Sequence, residues 1–316
     1  MSRLRERWEI FWFEPASPVN LGFCRILFFG ALFALYLPQD FVAWAEVSPV
    51  FWKPIGLFRC LHLPVLSAPL LAVIQALWKV TLGLSCIGLF TRLSTVTSFI
   101  LGAYLLGLPY NFGLLSHSNA ILVFVLGIMA LSRCSDSWSV DQLLRTARLR
   151  GEPSVSHPLM SGEYTWPVRA VWLIMALIFF GAGFSKLRRS GIEWIVSDNM
   201  AILLIQSNYF LSGIEPLTAW GLHVAQYGWL CQLLAAATVV FEIGYPLALV
   251  SRRARWLIVP AMASIQIGIR VLMGPSFEQF LICNLFWVRW DRVFVRVFAD
   301  VRLMRSVAAS TFTQDS

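Results

Sequence analysis

The sequence predicts an all-α fold, a polytopic transmembrane helical bundle of about eight spans with interfacial helices on its outer face. Three observations carry this. Hydrophobic residues make up 58% of the 316 positions and charged residues only 13%, about half the share of a soluble domain. The mean hydropathy is +0.70. The basic residues flank apolar runs instead of gathering on one face, so the net charge of +8 reads as membrane topology, and no nucleic-acid partner is expected.

Apolar runs place spans at about 20–37, 67–90, 94–110, 119–132, 166–184, 229–250, 255–273 and 276–289, most near the ~20 residues that cross a hydrocarbon core. With the amino terminus inside, Arg3, Arg5, Arg7, Arg92, Arg133, Arg145, Arg148, Arg150, Arg252, Arg253 and Arg255 fall on the cytoplasmic side, as do the tail arginines from Arg289 to Arg305. The outer segments hold Lys53, Arg59, Lys186, Arg188 and Arg189. This bias sets both termini in the cytoplasm. The organisation is a basic amino terminus (1–19), a transmembrane domain (20–290) and a cytoplasmic tail (291–316). The bilayer is the first partner and a bacterial inner membrane the expected location.

Residues 38–66 form an outer loop carrying Trp44, Trp52, Pro49, Pro54 and Pro64; 185–228 form a longer outer segment whose apolar stretches near Met200 and Trp220 suggest interfacial helices. The cysteines Cys24, Cys60, Cys86, Cys134, Cys231 and Cys283 form no CxxC or zinc spacing, and no metal is expected. HExxH, GxSxG and glycine-rich phosphate loops are absent from the sequence. No inverted repeat points to a transporter.

Charged groups inside spans are costly and face the protein interior. Arg25, Lys79, Glu242 and Arg270 are such groups. Arg25 and Arg270 read as members of internal ion pairs. Lys79 also has the stem to snorkel. Glu242 is left between an arginine partner and a polar cavity. His117 is an interfacial side chain or a catalytic one. Lys186 is an anchor or a base; with three lysines against 22 arginines in the chain, it departs from local habit, and lysine, unlike arginine, can be neutral when desolvated. Both sit, on this reading, at the outer face.

Four segments resemble the vitamin K-dependent gamma-carboxylase family, also called the HTTM family: Phe23-Cys24-Arg25-Ile26-Leu27-Phe28 with Leu37-Pro38-Gln39-Asp40; Gly88-Leu89-Phe90-Thr91-Arg92-Leu93-Ser94; His117-Ser118 with Trp138-Ser139-Val140-Asp141; and Ala182-Gly183-Phe184-Ser185-Lys186-Leu187 with Trp194. Their order holds across about 20–285. The resemblance implies a lyase-class membrane enzyme in which Lys186 is the base that deprotonates a reduced quinone, vitamin K hydroquinone-like, with oxygen and carbon dioxide as co-substrates, and His117 assists. Arg25, Glu242, Trp194 and Gln266 are then substrate-side residues, Gln266 standing where the family has a histidine. A secreted peptide or protein is the implied macromolecular partner. The rival expectation is an accessory membrane protein for maturation or export of a secreted peptide, with Trp44, Trp52 and Trp220 facing it.

Overall fold

The computed structural model describes residues 2–113, 118–148, 160–209 and 216–293. Among these residues the chain is helical; extended pairing is confined to an isolated bridge between Ala16 and Ser161. Five helical segments are long and apolar enough to cross a membrane: Pro18–Tyr36, Ala68–Ile87, Thr91–Phe112, Gly162–Ser190 and Arg252–Met273. Ser118–Leu131 and Gly228–Gly244 are shorter apolar helices. The chain divides into two compact units, Met1–Leu114, Val125–Arg169 and Val288–Ser316 in the first, Leu115–Phe124 and Ala170–Trp287 in the second.

The first unit contains α1 (Ser2–Phe13), α2 (Pro18–Tyr36), α3 (Gly56–Cys60), α4 (Ala68–Ile87), α5 (Thr91–Gly107), most of α6 (Ser118–Leu131) and α7 (Val140–Arg148). Ser17 caps α2 by accepting from Val19 N, with Pro18 at the first helical position, where the missing N–H costs nothing. α4 stops because Gly88 takes a left-handed conformation (φ 73°); its N–H and that of Leu89 both return to Leu84 O. A reversal follows at once, and α5 packs back on α4 through small residues. Ser94, Ser98 and Gly102 recur every fourth position, the pattern that lets apolar helices approach closely. Trp78, fully buried, fills the gap opposite Gly102 and donates to Ser98 O at 3.0 Å.

The second unit contains most of α8 (Trp166–Ser190), then α9 (Glu193–Val196), α10 (Asn199–Tyr209), α11 (Trp220–Ala225), α12 (Gly228–Gly244), α13 (Leu247–Val250), α14 (Arg252–Met273) and α15 (Glu278–Cys283). Three elements differ from the sequence reading. The fifth span does not end at 184: α8 continues to Ser190, because Lys186, Arg188 and Arg189 lower hydropathy but favour helix, and the stop is Gly191 at φ 59°. The sixth, read as 229–250, is interrupted. Pro246 has no N–H to offer Glu242 O, which accepts from Tyr245 N instead, and a short helix resumes at Leu247. The eighth, read as 276–289, is a six-residue helix followed by a 3-10 turn over Asn284–Trp287. The segment read as outer loop, 185–228, contains α9, α10 and α11.

Candidate functional site

The inward face of α8 carries Trp172, Phe179, Gly183 and Lys186, spaced to share one side of a helix. Gly183 is needed for a close approach: a Cβ there would lie 2.8 Å from Glu242 Cβ and 3.1 Å from Ile243 Cγ1. That approach brings α12 against α8. Three residues on, Lys186 Nζ donates to both carboxylate oxygens of Glu242, at 2.5 and 2.6 Å. The side chains are 26% and 9% exposed. Nζ also lies 5.0 Å from the centroid of the Trp194 ring. Glu242 occupies the last turn of α12, where the helix dipole adds negative potential around the ammonium. The sequence left Glu242 between an arginine and a cavity; its partner is Lys186, and with Trp194 they form the one cluster of expected site residues assembled among the described residues.

Lys186 sits near the carboxy-terminal end of α8, four residues before Ser190. Three layers stack along the interior of the second unit. In the first, Trp172 stacks on Trp287 (4.4 Å between centroids, 6° between planes), and the Arg255 guanidinium lies 4.2 Å from the Trp172 ring centroid while Nε donates to Ala248 O at 3.0 Å. In the second, Phe179 packs between Tyr245 and Phe280 at 4.6 and 5.3 Å. The ion pair is the third. At ~1.5 Å rise per residue, Lys186 is about 21 Å along α8 from Trp172, and Glu242 is about 21 Å along α12 from its first residue, Gly228. The pair therefore lies near the carboxy-terminal ends of both helices that hold it.

Such a pair has definite chemistry. Lys186 as ammonium and Glu242 as carboxylate neutralise each other, so the interior carries no net charge. One proton transfer gives amine and carboxylic acid, again neutral. An arginine at 186 would hold the charge and refuse the transfer.

Other expected residues fall differently. His117 lies outside the described residues. Arg25, fully buried in the first unit, is tied to main-chain carbonyls, Cys134 O at 2.7 Å and Trp138 O at 2.6 Å, in place of the ion pair expected for it. A Cβ on Gly88 would come within 2.9 Å of its guanidinium carbon. Here Arg25 joins α2 to the segment leading into α7. Next to it Asp141 accepts from Phe90 N, Thr91 N and Thr91 Oγ1 at 2.9, 2.7 and 2.7 Å. The Gly-Leu-Phe-Thr-Arg and Trp-Ser-Val-Asp segments thus form a structural lock. Arg270 donates to Gly274 O at 2.7 Å. Lys79 Nζ donates to Leu37 O and Gln39 O. Trp44 stacks on Phe112 and Trp52 packs on Phe58 and Phe112, whereas Trp220 is 64% exposed.

Gln266, on α14, is 3% exposed, and neither amide atom has a hydrogen-bond partner among the described residues. The Asn284 amide shares this condition; nothing in the local sequence singled it out. The role of Gly183 was also missed, although the Ala-Gly dipeptide before Lys186 was its signal. Compared with known proteins, the chain matches no family model, no curated protein and no solved structure.

Proposed function

We propose that this chain is an integral membrane enzyme of acid–base chemistry, similar to the vitamin K-dependent gamma-carboxylase family, acting on an apolar quinone-like or lipid substrate. The observation that carries the proposal is the Lys186–Glu242 pair, doubly hydrogen-bonded and set against Trp194. Lys186 is the general base. Its proton passes to Glu242, leaving a neutral amine that accepts a proton at Nζ from a substrate hydroxyl. Trp194 packs against the ammonium. The donor set suits a hydroxylated aromatic ring, which finds an indole face, a base and a carboxylate within one cluster. When bound, a reduced quinone supplies an acidic hydroxyl and, with oxygen and carbon dioxide, the oxidative and carboxylating chemistry of the family. His117 assists, on the strength of the resemblance.

The proposal includes eight crossings, α6 and α12–α13 completing two of them and α15 with its 3-10 turn the last, α10 and α11 lying at the outer interface, and both termini in the cytoplasm of a bacterial cell. The arginine distribution supports that orientation.

In lipid nanodiscs, the wild-type protein should take up oxygen when given a prenylated 1,4-naphthohydroquinone, and Lys186→Met should lower the rate by about 100-fold or more. A folded wild type with no uptake contradicts the enzyme reading. It would favour the accessory one, a membrane protein serving a secreted peptide, for which the exposed Trp220 is the supporting observation.

A further inference from the structure

Neither ion pairing nor packing explains Gln266. It is 3% exposed, and its amide nitrogen and oxygen are both without a hydrogen-bond partner among the described residues. In an apolar bundle such atoms are strongly unfavourable. Buried polar groups lacking a protein partner hold a water or a ligand atom.

Helix register says where the amide faces. On α14, Arg255, Val259, Met262 and Gln266 share one side; Val259 and Met262 are buried. At Arg255 that side meets Trp172 of α8. On α8, Trp172, Phe179, Gly183 and Lys186 share the side that meets α12 and α15. Measured from the common Arg255–Trp172 layer, Gln266 is about 16 Å along α14 and Lys186 about 21 Å along α8. The two side chains therefore point into the same interior, within about one helical turn in height.

An amide presents a donor beside an acceptor. The small group that satisfies both is a hydroxyl, which donates to the amide oxygen and accepts from the amide nitrogen. An ionic group is disfavoured, because Gln266 is neutral and Lys186 and Glu242 already neutralise each other. We infer that Gln266 is a hydroxyl-binding residue facing the Lys186–Glu242 pair, filled by the hydroxyl of an apolar ligand or by a water. The binding site stands on the orphaned amide; its use in proton transfer rests on the acid–base reading above.

The test uses the full chain in nanodiscs, with 1,4-dihydroxynaphthalene and 1,4-dimethoxynaphthalene as probes. Calorimetry measures affinity, and infrared difference spectra in H2O and D2O detect an internal water. If a ligand hydroxyl fills the site, the wild type binds the dihydroxy compound about tenfold more tightly, and Gln266→Met removes most of that preference. If water fills it, the preference is small in both proteins, and an internal-water band of the wild type is lost in Gln266→Met. A wild type showing neither preference nor band overturns the proposal, whether or not the variant folds. So does a folded Gln266→Met that keeps whichever signal the wild type shows. These outcomes are read without turnover, so an inactive base and an absent hydroxyl site are distinguishable.

Discussion

Lys186 is held from two sides, by a carboxylate that accepts from it twice and by an indole face. About a quarter of the Lys186 side chain and less of Glu242 reaches the surface, so the pair is stable only as a pair. Removing one partner strands the other charge. Lys186→Met or Glu242→Leu alone should each destabilise the protein by about 3 kcal/mol, while the double variant Lys186→Met/Glu242→Leu should recover most of the loss. A double-mutant cycle of unfolding in mixed micelles measures this; additive losses would show that the two groups do not depend on each other. Arg25 offers a contrast. Its hydrogen-bond partners are main-chain carbonyls, so it fixes chain segments.

Between elements, the lock built on Asp141 is the clearest device. A carboxylate from α7 caps the start of α5, satisfying N–H groups that the helix itself leaves open. Burial alone would raise the Asp141 carboxyl. Hydrogen bonds from Thr91 N, Thr91 Oγ1 and Phe90 N, with Arg145 nearby, outweigh it and hold the carboxyl below the usual carboxylate range. The unfolded chain therefore binds this proton more tightly than the folded one. The stabilisation is complete above the unfolded value of about 3.9 and is lost as pH falls through the depressed folded value. Asp141→Asn should cost about 1–2 kcal/mol at pH 7 and should flatten the acid limb of the thermal midpoint below about pH 4. An unchanged acid limb would show that the cap contributes nothing.

The same scale shows what the residues disclosed in advance. Hydropathy located each long helix to within a few residues, since lipid imposes length and polarity on consecutive positions. It failed at Tyr245-Pro246, where one missing N–H breaks a run that stays apolar throughout, and at Lys186, where charge hid a helix that continues. Periodicity gives the face of a residue but not what lies opposite. Glu242 could be placed inside a span, yet its partner, 56 residues away, depended on Gly183 admitting α12. Gln266 was placed on the substrate side by the resemblance alone; that its buried amide lacks a bond depends on surroundings that the sequence does not show.

At the scale of the whole molecule, each unit has its own centre. The first is organised about Arg25, Gly88 and Asp141, which are locked by hydrogen bonds and tight packing. The second is organised about a neutral pair of opposite charges, Lys186 and Glu242, and also holds the buried, unmet amide of Gln266. The first arrangement suits a scaffold, and the second is the one on which the proposed proton transfer rests. The substitution that separates a working base from a structural tie is Lys186→Arg, because arginine keeps the positive charge and can hold Glu242 but cannot give up its proton. The measurement is oxygen uptake with the prenylated naphthohydroquinone in nanodiscs, on variant protein whose thermal midpoint matches the wild type. The predicted result is a folded Lys186→Arg protein at 1% or less of the wild-type rate, on the order of the loss of a general base. A folded Lys186→Arg protein that turns over at the wild-type rate would contradict the assignment of Lys186 as the base.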